Sequence, residues 1–160
     1  MRRVFYKQND IEVRSSFPSD VDILCHSLRK SDEEEIWASH NLTPWDGLHY
    51  GMTESLISLT ITSKGKPIGM FGIRPDSYMG EKATIWFLAS DELDSIKLRF
   101  LKHSKRFVKM FLSFYPYLYN YVDTRNKSSI EWLKFCGANI QNAMPYGVMA
   151  QPFHYFYFER

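Results

Sequence analysis

Residues 83–114 constrain the fold of this chain more than any other stretch. Residues 83–89 read Ala-Thr-Ile-Trp-Phe-Leu-Ala, a nearly continuous apolar run that suits a central strand buried on both faces. At Ser90-Asp91 the period changes. Ile96, Phe100, Phe107, Phe111 and Phe114 then recur at spacings of three, four and seven, the stripe of a long one-sided helix. Pro116 ends that helix, because proline lacks the amide that a further turn needs. Residues 117–122 form another strand. A buried strand joined to a long amphipathic helix requires a sheet with helices packed on it.

The flanking segments extend this plan. Residues 3–13 carry scattered β-formers and predict an opening strand. Ser16-Phe17-Pro18-Ser19-Asp20 predicts a helix start, with a hydroxyl cap, an early proline and an acid at the positive end of the dipole. Ser31 with Glu34 predicts a capping box, and Thr43-Pro44 a third start, so short helices fill residues 20–54. Residues 56–62 alternate as Leu-Ile-Ser-Leu-Thr-Ile-Thr, turn at Ser63-Lys64-Gly65-Lys66 and run back over residues 67–73, which predicts a β-hairpin. Residues 126–135 predict a short helix closed by Gly137 as a left-handed cap. Strands near residues 138–142 and 147–158 finish the chain. The expected fold class is α/β (α+β): a mixed, mostly antiparallel central sheet of about six to seven strands flanked by helices.

With 160 residues and no linker or repeat, the chain is expected to form one domain over residues 1–160. Aromatic residues make up 16% of it, enough to build the core and sheet from large rings. The net charge of +2 is too small for the whole molecule to attract nucleic acid, so any such binding must come from a local patch. Cys25 and Cys136 form no metal-like pair and are expected as reduced thiols. No apolar run approaches the roughly 20 residues of a membrane span. The start, Met1-Arg2-Arg3-Val4, is basic without the apolar stretch of a signal peptide, and a cytoplasmic location is expected.

Tyr121-Val122-Asp123 leads into Asn126-Lys127-Ser128-Ser129-Ile130-Glu131-Trp132-Leu133-Lys134-Phe135-Cys136-Gly137-Ala138. Together with the element order, this stretch resembles the GNAT superfamily of N-acetyltransferases. In that family a strand ends in a loop Asn, a helix carries a small residue three positions on, and the segment closes with Gly-Phe. Asn126, Ser129 and Gly137 match at that spacing. Within the superfamily, several features resemble the internal virion protein A family of short-tailed phages. They are Gly69, Phe71-Gly72, Ile85-Trp86-Phe87-Leu88-Ala89-Ser90-Asp91 before a basic helix, Tyr119-Asn120-Tyr121-Val122, and the segment after Asn126. The resemblance implies a phage protein of the particle, its assembly or genome ejection. Its expected partners are other phage or virion proteins, and its expected location is the virion and infected-host cytoplasm.

The superfamily cradles the pyrophosphate of acetyl-CoA on backbone amides at the start of its long helix, in a glycine-rich loop. Glycine permits close approach, and the helix end supplies partial positive charge. Here that loop is Leu88-Ala89-Ser90-Asp91-Glu92-Leu93-Asp94-Ser95. It has no glycine and three carboxylates, which suit the helix dipole by themselves but repel a cofactor. Many members also place a Tyr seven residues after the loop Asn to protonate the departing thiolate. This chain has Leu133 there, with Trp132 beside it, and Ala138 replaces the closing Phe. No catalytic residue is therefore expected and no cofactor; if acetyl-CoA does bind, Ser90, Asn126 and Ser129 are the residues expected to hold it. Tyr119, Tyr121 or Tyr146 could replace the acid only by a rearrangement.

Other constellations carry less. His40, Asp46 and His49 match no standard metal spacing, and no metal is expected. Cys136, one residue before a capping glycine, reads as a structural thiol. Glu33-Glu34-Glu35 reads as a solvated helix start. Arg99, Lys102, Lys105, Arg106 and Lys109 fall on one side of the long helix, opposite the Phe stripe. That is either an ordinary solvated face or a contact for an acidic partner or nucleic-acid phosphates. With so small a net charge, a protein or particle contact is favoured over autonomous nucleic-acid binding. The leading expectation is a non-catalytic protein. The alternatives are a divergent acetyl-CoA-dependent N-acetyltransferase acting on a host or phage amine, and a small nucleic-acid-associated module.

Overall fold

The computed structural model describes residues 1–160. In chain order the elements are β1 (Val4–Gln8), β2 (Ile11–Ser15), α1 (Pro18–Leu24), α2 (Lys30–His40), α3 (Pro44–Glu54), β3 (Ile57–Ser63), β4 (Lys66–Pro75), β5 (Lys82–Ala89), a 3-10 segment (Asp91–Ile96), α4 (Lys97–Phe114), β6 (Tyr117–Asp123), α5 (Lys127–Cys136), β7 (Asn139–Tyr146) and β8 (Gln151–Glu159). They build one eight-stranded sheet in the order β1-β2-β3-β4-β5-β6-β8-β7. Every neighbouring pair is antiparallel except β5 and β6. The mixed, mostly antiparallel sheet flanked by helices is the expected architecture.

Eight strands replace the expected six to seven because the opening segment is a hairpin. Asn9 turns it with a positive φ of 51°, a conformation that asparagine tolerates better than most side chains. At the other end of the chain, β8 begins at Gln151 rather than near residue 147. Gly147 instead sits in the turn at φ 77°, where a Cβ would come within 2.5 Å of Ser39 Cα. From that close position Val148 N–H donates to Ser39 O and Met149 N–H to Ala38 O. The tip of the β7–β8 hairpin is thereby fastened to the end of α2.

The helix starts divide. Thr43 starts α3 as expected, and it does so through a reciprocal cap with Asp46, whose N–H lies 3.2 Å from Thr43 Oγ1. Ser31 does not cap α2; the helix begins at Lys30, with Arg29 at its N-cap. The cap of α1 is also not a hydroxyl. Phe17 occupies that position, and its N–H donates to the Asp20 carboxylate at 2.8 Å. Asp20 also receives both terminal nitrogens of Arg14, at 2.7 and 2.8 Å, and the Thr60 hydroxyl at 2.8 Å. Burial pushes the Asp20 carboxyl up, but these donors outweigh it and hold the group below its ordinary range. This buried pair ties α1 to β2 and β3.

Two apolar layers sandwich the sheet. The larger contains 23 buried residues, among them Ile85, Phe107, Phe111, Leu118 and Phe156, beneath α4 and α5. The smaller joins Val21, Leu24, Leu48, Met70 and Leu88 beneath α1 and α3. Alternate side chains of β5 thus face different layers, as the period of a strand requires.

Candidate functional site

The one parallel pair opens soon after it forms. β5 and β6 are in register only at Lys82–Tyr117, Ala83–Leu118 and Thr84–Tyr119. At the next position the Asn120 side chain takes over, donating from Nδ2 to Ile85 O at 2.8 Å. Beyond it the strands part. The gap has two sides, one toward α4 and α5 and one toward α2 and α3.

On the α4/α5 side the gap is filled. Phe87 stacks on Phe100 at 5.4 Å and on Trp132 at 5.5 Å, and Phe100 lies 6.1 Å from Trp132. Trp132 Nε1 is buried without a hydrogen-bond partner. The turn leading into α4 is equally occupied. Ala89 N–H donates to Asp32 at 2.9 Å, Ser90 N–H to Ile68 O at 2.9 Å, and Leu93 N–H to Ser90 O at 3.2 Å. The Ser90 hydroxyl is buried and also faces Ile68 O, at 3.3 Å. The first helical turn is a 3-10 segment carrying Asp91, Glu92 and Asp94, and Lys66 pairs with Glu92 at 2.5 Å. A pyrophosphate at this turn would meet three carboxylates and, at Ala89, Ser90 and Leu93, amides already engaged. A long thiol arm entering here would meet the aromatic stack.

Asn126 and Ser129 have parted roles. Asn126 is buried and caps α5, accepting from Ser129 N–H at 3.4 Å. Its Nδ2 donates to Asp32 Oδ1 at 3.2 Å and to Glu35 Oε2 at 2.5 Å. Asp32 further accepts from Arg29 Nε and Nη2 at about 3.1 Å. Ser129, half-buried, lines the small space beside Trp132. The network Arg29–Asp32–Asn126–Glu35 therefore joins the entrance of α2 to the entrance of α5. Glu35 is a residue that the sequence pattern hides, since the triple glutamate reads as solvated. Burial, then the neighbouring Asp32 charge, raise its carboxyl to about 8, against the hydrogen bond from Asn126. Burial likewise pushes Asp32 upward against the pull of Arg29.

On the α2/α3 side the gap remains open as a cavity of about 370 Å³. Glu35 and His40 enter it from α2, Tyr50 and Gly51 from α3, Arg74 from β4, Trp86 from β5, Tyr119 and Tyr121 from β6, and Tyr146 from β7. Tyr121 and Tyr146 stack in parallel at 3.7 Å. Tyr119 Oη donates to the Asp76 carboxylate at 2.8 Å. Burial raises the phenols of Tyr119 and Tyr146, and burial with the Arg74 charge lowers the His40 imidazole. Leu133, where the superfamily's acid would stand, is buried in the larger apolar layer.

The remaining candidates separate. His49 stacks on Trp45 at 4.4 Å while Asp46 caps α3, and no cluster of three metal-ligating side chains exists. Both cysteines are free, and burial raises each thiol above its ordinary range, which disfavours nucleophilic use. Arg99, Lys102, Lys105, Arg106 and Lys109 are all exposed on α4, opposite its buried Phe100, Ser104, Phe107, Val108 and Phe111. Lys105 lies 4.4 Å from the Phe135 ring centre. No helix is long and apolar enough to cross a membrane.

Residues 70–144 match the family described as bacteriophage T7, probable scaffold protein Gp13. No curated protein matches the chain in sequence. Among solved structures, RimL, a ribosomal alpha-N-protein acetyltransferase in complex with coenzyme A, is 8% identical with a TM-score of 0.72, covering 98% of each chain. The self-immunity acetyltransferase MccE of microcin C7, in complex with acetyl-CoA and AMP, is 10% identical with a TM-score of 0.70, covering 96% of this chain and 94% of its own. A ribosomal-protein-alanine acetyltransferase from Vibrio fischeri is 12% identical with a TM-score of 0.67, covering 98% of this chain and 96% of its own. At such identities the likeness is one of fold, and the fold of this chain is that of the GNAT acetyltransferases.

Proposed function

We propose that this chain is a non-catalytic phage protein built on an acetyltransferase frame, working in the virion or its assembly and genome ejection. The observation that carries the first half is the closed cofactor turn. Ala89 and Ser90 spend their amides on Asp32 and Ile68, and the first turn that follows carries Asp91, Glu92 and Asp94. The similarity of residues 70–144 to a phage scaffold family supports the second half, as do the residues resembling internal virion protein A. On this reading the exposed basic face of α4 contacts other phage proteins, and the protein is found in the virion and infected-host cytoplasm. Calorimetric titration with acetyl-CoA and CoA tests the reading. No heat at millimolar cofactor is expected; micromolar binding would overturn it.

A second reading, a divergent N-acetyltransferase, is favoured by two observations. Glu35, raised to about 8, faces the cavity with the poise of a general base near neutral pH. The unpartnered Trp132 Nε1 is a donor that a cofactor amide could occupy if the aromatic stack opened. Acetyl transfer to an amine that is abolished in Glu35→Gln would establish this reading in place of the first.

A further inference from the structure

The open cavity has a charge arrangement unlike the rest of the interior. Arg14 and Arg29, both buried, each hold a carboxylate, respectively Asp20 and Asp32. Arg74, half-buried on the cavity wall, holds none. Its contacts are the Thr84 hydroxyl at 3.4 Å and the face of Tyr50, with Cζ 5.5 Å from the ring centre. The nearest acid in sequence, Asp76, is engaged by Tyr119. Glu35 is mostly protonated at neutral pH and His40 is held neutral, whereas a guanidinium keeps its charge. Arg74 is thus the one full charge that the cavity presents near pH 7.

The walls around it are rings, and one of them is held in place. Trp86 Nε1 donates to Ser55 Oγ at 2.7 Å. Gly51 lies so close beneath the indole that a Cβ there would stand 3.0 Å from it. The stacked Tyr121–Tyr146 pair is kept over the cavity by the hairpin tip docked on α2. The volume of about 370 Å³ is that of a small-molecule site, aromatic with few polar groups.

We propose that this cavity binds a small planar aromatic molecule carrying one carboxylate or phosphate, with the anionic group on Arg74 and the ring against Trp86 and the tyrosines. A polyamine or other cation would sit beside Arg74 with like charge, so the arrangement selects against it. The inference does not rest on whether coenzyme A binds, because Arg74, Tyr50 and Tyr146 line this cavity and not the spaces beside Trp132.

The full chain is titrated with indole-3-acetate, AMP, adenosine and spermidine, followed by calorimetry and tryptophan emission. Binding of indole-3-acetate or AMP with a dissociation constant of about 1 mM or tighter is expected. Preference for one over the other decides between carboxylate and phosphate. Arg74→Gln should weaken that binding about tenfold or more, the loss of a charge-assisted fork, and Trp86→Phe should remove most of the emission change. Arg74→Lys keeps the charge and should lose less than Arg74→Gln. Thermal melts of each variant separate loss of binding from loss of fold. Binding of neither anionic ring, binding of spermidine as tight as either, or an unchanged affinity in a folded Arg74→Gln would each overturn the proposal.

Discussion

The two sides of the β5–β6 gap are made of the same strands and have opposite contents. Toward α4 and α5, Phe87, Phe100 and Trp132 close the space with stacked rings. Toward α2 and α3, Trp86, Tyr121 and Tyr146 surround a cavity. Trp86 walls the open cavity, while Phe87 belongs to the stack and touches the cavity only from that side. The strand period sends them to opposite faces, so a single step along the chain separates a core from a binding space. Substitution is therefore tolerated unequally on the two sides. The filled side serves stability, and the open side is available to a ligand.

The largest test of that division is a pair of truncations. Phe100→Ala removes a buried ring from the filled side and should cost about 3–5 kcal/mol in denaturant unfolding. Tyr50→Ala removes a half-exposed ring from the rim of the open side and should cost under about 1 kcal/mol. Equal costs would erase the distinction, since both sides would then be core.

A smaller effect lies at the boundary, where Glu35 joins the polar network to the cavity. Its carboxyl is raised in the folded protein to about 8 from an ordinary value near 4.5. Its protonated form is therefore the stabilising one. That contribution is complete below about pH 4.5 and is lost as pH rises through about 8. Stability should fall across this window by at most about 1.4 kcal/mol per pH unit, reduced by solvent screening at a half-buried position. Asp32, also raised by burial, acts in the same direction. Glu35→Gln keeps an acceptor for Asn126 and should flatten most of the slope when melts are compared between pH 5 and pH 8.5. A slope unchanged in the variant would place the titration elsewhere.

The filled side is legible in the sequence and the open side is not. The apolar run of β5 and the Phe stripe of α4 announce themselves by period, and Gly137 adopts the left-handed cap expected of it, at φ 89°. These signals are local. The cavity arises because β6 leaves β5 after three residue pairs, and because Gly147 lets a distant hairpin dock on Ser39. Glu35 is hidden for a related reason. α2 turns polar groups inward, including buried Asp32 and Ser39, so hydrophobic periodicity says nothing about its buried face. The three-residue spacing of Asp32 and Glu35 marks one helix face, but only the fold brings Asn126, 91 positions beyond Glu35, against it. Ser90 misleads because a helix entrance looks open in sequence even when Leu28 bridges to it.

The smallest stability effect concerns the outer surface of the filled side. Lys102, Lys105, Arg106 and Lys109 make no ion pair in the structure, and they stand on α4 with their backs to the core. Replacing all four with Ala should change stability by about 0.5 kcal/mol or less per site, and in part favourably, since alanine is the better helix former. If the face binds an acidic partner, the variant should no longer be retained on an anionic matrix or on purified phage particles, while melting as the parent does. If the face bound nucleic-acid phosphates instead, parental affinity for DNA would fall steeply with salt, and the variant would reduce that slope by about one unit for each phosphate no longer neutralised. Retention unchanged in both assays would make the basic stripe an ordinary solvated surface. The filled side would then have no outward function beyond holding the sheet.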